Sequence, residues 1–234
     1  MRQELLVERF FDALVNGDRP SAREIVRDAA GAAPSEQIIT GLFWPAYELI
    51  ERLYRSDQLS KLSHHLATRL LRVLVDQNAA RMAFQTPVNR SILAFCGPRD
   101  SDELGAQMAV DLLEQRGFRV SFAGGGIPND EVLSRVHESK PNILLMFASG
   151  ANDLPQIRQL IDTLHEIGAC PNLQIVVGGG VFNRAEGLAE EIGADLWAND
   201  PFELVEAMQS QGTRRAEDEQ RTVGRKRRVK REAA

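Results

Sequence analysis

The segment CGPRDSDELG, residues 96–105, carries Asp100, Asp102 and Glu103 within four positions and closes on Gly105. Carboxylates so spaced suit a hard cation, an acid/base pair, or a helix N-terminus, where each gains about 0.3–1 kcal/mol from the dipole. A cation needs convergent ligands and an acid/base pair needs two carboxylates facing a substrate; the sequence offers neither. Asp100 or Ser101 is therefore expected to cap the helix that follows. His64 and His65 are adjacent, and on a helix their side chains diverge by about 100°, so they do not clamp one metal together. One is expected to face a cleft, the other solvent or core; His137 and His165 are expected at the surface. The glycine runs Gly124–Gly126 and Gly178–Gly180 match neither GxxxxGK[ST] nor GxGxxG. They suit tight turns or a close backbone approach to a flat ligand. No catalytic constellation and no metal-ligand spacing emerges.

The elements that must position these residues fall into two modules. Leu5, Leu6, Phe10, Leu14 and Val15 recur at helical spacing over 3–17, and a second short helix follows Pro20 and Ser21. A third helix spans 34–57, bent at Pro45 or restarting there, and a fourth runs through Leu62, Leu66, Leu70, Leu71, Leu74 and Val75. Residues 1–84 thus read as an all-α four-helix module. From residue 88 the pattern becomes strand–helix alternation: RSILAFCG, FRVSFAG, NILLMFAS, LQIVVGGG and ADLWAN, each followed by a helical stretch, the fourth over 184–192. Residues 88–210 are expected to form an α/β Rossmann-like domain with a five-stranded parallel sheet. In such sheets ligands bind at the strand C-terminal ends, here CGPRDSD, AGGGIPND, ASGAND and GGGVFN.

The 234 residues suffice for two such modules, and 43% hydrophobic with 26% charged residues is ordinary for a globular protein. No apolar stretch approaches the ~18 residues of a membrane helix, and the amphipathic, acidic start is unlike a signal peptide. Two cysteines, Cys96 and Cys170, suggest no disulfide framework, so a reduced cytoplasmic setting is expected. The formal net charge of −5 is uneven: from Thr213 onward nine Lys/Arg face four Asp/Glu. The tail, residues 211–234, is expected to be disordered when free. Its run Arg225, Lys226, Arg227, Arg228, Lys230 and Arg231 suits phosphate backbone or an acidic protein partner. It has no interleaved aromatics for base stacking.

Residues 90–210 resemble a cobalamin-binding domain. That family's first loop carries Asp-x-His-x-x-Gly, whose His ligates cobalt from below; here it reads Asp100-Ser101-Asp102-Glu103-Leu104-Gly105. GFRV (117–120), the Gly124–Pro128 turn, a third loop with Ser149, the pair Gly178-Gly179 and IGAD (192–195) follow in the family's order. At the third loop, strict alignment puts Phe147 at the family's Ser. The N-terminal module resembles the four-helix cap above the corrin ring in methionine synthase and in cobalamin-dependent light-sensing repressors. Pro45-Ala46-Tyr47 matches its Pro-Ala-Leu, Tyr54 its Trp, and His64-His65-Leu66-Ala67-Thr68 its Glu-His-Leu-Ala-Thr; Arg55 replaces the light sensors' His.

The resemblance implies a cofactor site of Tyr54, His64, His65, Asp100, Asp102, Gly105, Gly124, Ser149, Gly178 and Gly179. Asp102 replaces the axial His, and a carboxylate substitutes poorly for imidazole on low-spin cobalt. Cobalamin or a related tetrapyrrole such as heme is then expected base-on or without a protein axial ligand, or not at all. The expected role is a non-catalytic sensor or regulatory protein, acting in transcriptional regulation through a protein partner, a homo-oligomer or DNA. The alternatives are a corrinoid carrier of a methyl-transfer system, or a ligand-free scaffold.

Overall fold

In the computed structural model, which describes residues 2–168 and 170–216, the chain opens with α1 (Arg2–Val15), α2 (Arg19–Ala32), α3 (Ser35–Ile38), α4 (Trp44–Arg55) and α5 (Lys61–Ala79). Asp18 caps α2 by accepting from the Ser21 N–H, and Ser60 caps α5 through Ser63. The helix expected to bend or restart at Pro45 is interrupted just before it, and α4 begins afresh at Trp44 with Pro45 in its first turn. A π-helical turn, Ile39–Phe43, joins α3 to α4. Pro45 has no N–H to give to the Gly41 carbonyl four residues back, and the Trp44 N–H reaches Ile39, five back. The Gly41 oxygen accepts from Gln3 Nε2 at 2.7 Å, so α1 satisfies the group that the proline leaves open.

The second module is β1 (Ser91–Cys96), α6 (Asp100–Gln115), β2 (Arg119–Gly125), α7 (Asn129–Ser139), β3 (Ile143–Phe147), α8 (Leu154–Ile167), β4 (Gln174–Gly178), α9 (Gly180–Arg184), α10 (Leu188–Glu191), β5 (Leu196–Ala198) and α11 (Pro201–Ser210). The five strands are parallel in the order β2-β1-β3-β4-β5, as the strand–helix alternation predicts. Every residue of β3 and β4 is buried, whereas the edge strand β2 alternates between exposed and half-buried. The one helix expected over 184–192 is two short ones, because Gly187 turns the chain at φ +79° between them.

Side-chain alternation divides the core. Leu93, Phe95, Leu144, Met146 and Val177 pack under Val132, Val136, Leu160 and Ile161 of α7 and α8. Ile92, Ala94, Leu145 and Val176 face the other way and join Met108, Leu113 and Leu204 in a cluster continuous with Phe10, Phe43, Leu71 and Leu74 of the helical module. Between the two modules lies α6, with twelve of its sixteen residues buried, which a helix with one wet face cannot achieve. Residues Gln211–Ala216 then return across the N-terminal ends of the strands. Buried Gln174 donates to the carbonyls of Gln211 and Arg214, and the Asp195 carboxylate accepts from the N–H groups of Ile175 and Ala216 at 2.7 and 2.6 Å.

Double burial leaves one group under tension. Asp111 on α6 is 5% exposed, its Oδ1 accepts from Gln107, and its Oδ2 has no partner. Burial, with smaller contributions from Glu114 and Asp76, pushes its pKa up from 3.8 to about 7. The folded state therefore favours the protonated acid. The destabilisation is absent below pH 4, grows as pH rises from about 4 to 7, and levels off above 7 at no more than about 4 kcal/mol. Asp111→Asn is expected to raise unfolding stability by about 1–3 kcal/mol at pH 8, with the gain vanishing near pH 4, in urea melts at the two pH values.

Candidate functional site

The loop Gly97–Arg99 leaves β1 at the edge where ligands bind in such sheets, and the helical module closes on it from above. The Tyr47 hydroxyl donates to the Ser101 carbonyl at 3.0 Å in a buried contact. Arg72 of α5 donates to the Asp100 carbonyl at 3.0 Å and pairs with Glu103 Oε1 at 3.3 Å. A Cβ on Gly105 would stand 2.7 Å from the Tyr47 hydroxyl, so glycine is what allows α4 and α6 to meet there. Burial, reinforced by Glu51 and Asp102, raises the Tyr47 pKa far above its ordinary value and keeps the phenol a donor.

Helix α6 begins at Asp100, and its N-cap is Arg99, which makes no side-chain cap bond. The expected capping by Asp100 or Ser101 is thus not what the structure shows, although three carboxylates do occupy the first turn. Asp102 turns inward with its side chain 0% exposed and accepts two parallel bonds from Arg99, Nε at 3.0 Å and Nη2 at 2.9 Å. Burial alone would lower the Arg99 pKa; the Asp102 bond and charge outweigh it and the net shift is upward. Beside this fork, burial with Asp102 and Glu103 pushes the Cys96 thiol up to about 12, so it stays protonated.

Between α4 and the C-terminal ends of β3, β4 and β5 lies a cleft of about 400 Å³. Its apolar wall is Trp44, Pro45, Ala106, Ala109, Phe147 and Leu204; Glu48, Glu51, Arg52, Arg55, Asn183, Asn199 and Asp200 supply its polar groups. Gly178, Gly179 and Gly180 present bare backbone to it. Gly179 takes φ +104°, and a Cβ there would overlap the Ala148 carbonyl. Burial, and then the neighbouring Asp200, raises the Glu48 pKa.

The sequence-derived residues divide. Asp102, Gly105, Ser149, Gly178 and Gly179 line the cleft. Tyr54, His64, His65, Asp100 and Gly124 do not. His64 is buried, its Nε2 2.7 Å from Glu51 Oε1, and Tyr54 stacks on it with ring centroids 4.0 Å apart. His65 is exposed, as are His137 and His165. Asp100 contributes only its carbonyl, to Arg72, and Gly124 lies beside Glu103. The residues of the basic run Arg225, Lys226, Arg227, Arg228, Lys230 and Arg231 lie outside the described residues. Among the described residues no group of three or more His, Cys, Asp or Glu could hold a metal ion, and no helix is long and apolar enough to cross a membrane. Sequence reading missed Trp44, Glu48 and Glu51, which needed the phase of α4, and the Arg99–Asp102 fork, visible only as an i, i+3 pair.

The fork carries a test. Arg99→Ala strands a buried carboxylate and is expected to cost about 2 kcal/mol in urea denaturation. Adding Asp102→Ala should return more than half of that loss, a coupling that independent sites would not show.

Comparison with known proteins follows the same two-module outline. A family model described as a B12 binding domain matches residues 90–206, and a second, also described as a B12 binding domain, matches residues 6–77. Dimethylamine corrinoid protein 1 of Methanosarcina acetivorans is 25% identical over 212 residues, covering 88% of this chain and 96% of that one. The trimethylamine corrinoid protein of Methanosarcina barkeri is 24% identical over 215 residues, covering 88% and 97%. The structure of the monomethylamine corrinoid protein of M. barkeri superposes with a TM-score of 0.69 at 19% identity, covering 87% of this chain and 97% of that one, and shows the same fold. These relatives are all named as corrinoid proteins. With both modules matched in order, the chain belongs to the B12-binding domain family, with the family's N-terminal helical module in front.

Proposed function

We propose that this protein binds a corrinoid between its helical module and the sheet edge and serves as the carrier component of a methyl-transfer system. The cleft under α4 carries the reading: it lies at the strand C-terminal ends, has one apolar wall and a glycine floor, and is roofed by the helical module. The relatives' names support the carrier role, and none of those reported above supports a sensor or a transcriptional regulator. The division into a cap over 1–84, a binding domain over 88–210 and a tail over 211–234 belongs to this proposal, with the correction that residues 211–216 are bonded to Gln174 and Asp195 and so join the binding domain. A separate methyl-transferring protein as partner belongs to it as well.

The residues fit the body of a corrinoid and do not fit attachment through a protein imidazole. When bound, the group supplies a cobalt centre that accepts and gives up a methyl group. Trp44, Ala106, Ala109 and Leu204 would take its apolar surface, the Gly178–Gly180 backbone its close approach, and Arg52, Arg55, Asn183 and Asn199 its polar groups. On the sheet side, Asp102 is spent on Arg99, and all four histidines of the chain lie elsewhere. Phe147 ends β3 with its ring 3.3 Å from where a Gly178 Cβ would stand, which narrows the floor of the cleft. The residues on the sheet side would therefore offer a bound corrinoid no imidazole of this chain.

The test is gel filtration of the protein mixed with methyl-, adenosyl- or hydroxocobalamin, or with heme, followed by absorbance spectroscopy. A cobalamin is expected to co-elute with a base-on or water-ligated spectrum. Co-elution with an imidazole-ligated spectrum would overturn the exclusion of a protein imidazole. Retention of heme alone, or of no chromophore, would remove the corrinoid reading itself.

A further inference from the structure

Three guanidinium groups meet at the rim of the cleft, each from a different segment. Arg55 closes α4 in the helical module, Arg99 lies in the loop between β1 and α6, and Arg184 ends α9. Arg55 lines the cleft alongside Ser149 and Gly180. Arg184 donates from Nη2 to the Ser149 carbonyl at 2.5 Å, and a Cβ on Gly180 would stand 2.6 Å from its Nη1. Glycine at 180 therefore leaves room for this guanidinium against the backbone that follows β4. Arg99 Nη2 borders the loop after β3, 3.6 Å from where a Cβ on Gly150 would stand.

The carboxylates of this region lie underneath. Asp102 is fully buried with both oxygens on Arg99, Glu51 is buried with its Oε1 on His64, and Asp153 Oδ2 accepts from the Gly150 N–H at 3.3 Å. The cations lie above: Arg55 and Arg99 keep 37% and 48% of their side chains exposed, and Arg184 is exposed. The face turned to solvent is thus cationic. Burial, and then the charges of Arg55 and Arg99, pull the Arg184 pKa below the usual guanidinium range against an opposing contribution from Glu51, as happens where like charges crowd.

We infer that Arg55, Arg99 and Arg184 form a phosphate site at the rim, which takes the phosphodiester of a corrinoid seated in the cleft. The inference rests on the corrinoid reading above. A guanidinium group held on one side by a carbonyl or a carboxylate keeps further N–H donors for phosphate oxygens, and meets them two at a time. A phosphate cannot follow the apolar part of a ligand against Ala106, Ala109, Phe147 and Leu204 without losing its hydration, so its charge is best met at the rim. An anion held here bridges α4 to the loop after β1 and to α9, and its binding adds to the closure of the two modules.

The experiment is equilibrium dialysis of the full chain against hydroxocobalamin and against aquocobinamide, which lacks the phosphodiester and the base, with absorbance as the readout. The chain is expected to hold cobalamin about tenfold more tightly than cobinamide. Arg184→Gln should remove most of that difference by weakening cobalamin alone, and Arg184→Lys should keep part of it. Arg135→Gln, on α7 and outside the cleft, should leave the ratio intact, with thermal unfolding midpoints confirming that each variant folds. Equal affinity for the two corrinoids, or a ratio that survives Arg184→Gln, overturns the phosphate site while leaving the corrinoid reading in place. Retention of neither corrinoid overturns that reading, and inorganic phosphate then decides the site. A midpoint raised by phosphate over chloride at equal ionic strength, and not raised in Arg184→Gln, supports a site for free phosphate at this rim; an unchanged midpoint removes it.

Discussion

The structure depends on burying α6 on two sides at once. One face of the helix packs on the sheet and the other on α4 and α5, so a single apolar cluster runs from Leu145 to Phe10. A helix held in this way must be narrow where its neighbours press closest, and it carries Gly105, Ala106 and Ala109 along the cleft wall. It must also place its polar groups where each finds a partner. Ser101 gives its carbonyl to Tyr47, and Asp102 gives its carboxylate to Arg99. Asp111 finds half of what it needs.

The resemblance to cobalamin-binding domains would put a metal-binding imidazole where this chain has Asp102. Its environment accounts for its persistence without any metal. A carboxylate with no solvent exposure is tolerable only when paired, and the arginine three residues before it supplies a planar, two-point partner from the same turn. The loop's shape is then held by Arg99, Tyr47 and Arg72, two of them reaching down from the helical module. The modules are locked together by direct contacts at this loop.

Period and strand content made the layout legible in the sequence. The apolar runs ILAF, ILLMF and QIVVG are continuous because their strands are buried on both faces, and that pattern has few other meanings. Of the residues that the family motifs single out, Asp102, Gly105, Ser149, Gly178 and Gly179 line the cleft. Tyr54 and His64 turn inward, to stack on each other and to meet Glu51 within the helical module. Motif spacing states which helix a residue is on, not which neighbour will claim it. The Arg99–Asp102 fork showed only as an i, i+3 pair among several local options; for other charged side chains, whether an opposite charge or a carbonyl is found is decided by folding over tens of residues. Arg90 and Met208 stand 118 positions apart.

The π turn before α4 governs the cleft from outside it. One residue added to a helical repeat rotates everything downstream by about 100° about the axis. The face of α4 that looks into the cleft, with Tyr47, Glu51 and Arg55, is therefore chosen by the register of Ile39–Phe43 and not by the residues that form the face. That register is kept by a missing N–H on Pro45 and by one amide group reaching over from the first helical turn of the chain. The ligand chemistry of the cleft is thus tied to Gln3, a residue with no part in it, and relatives that differ in this one-residue insertion would present different side chains from an otherwise identical helix.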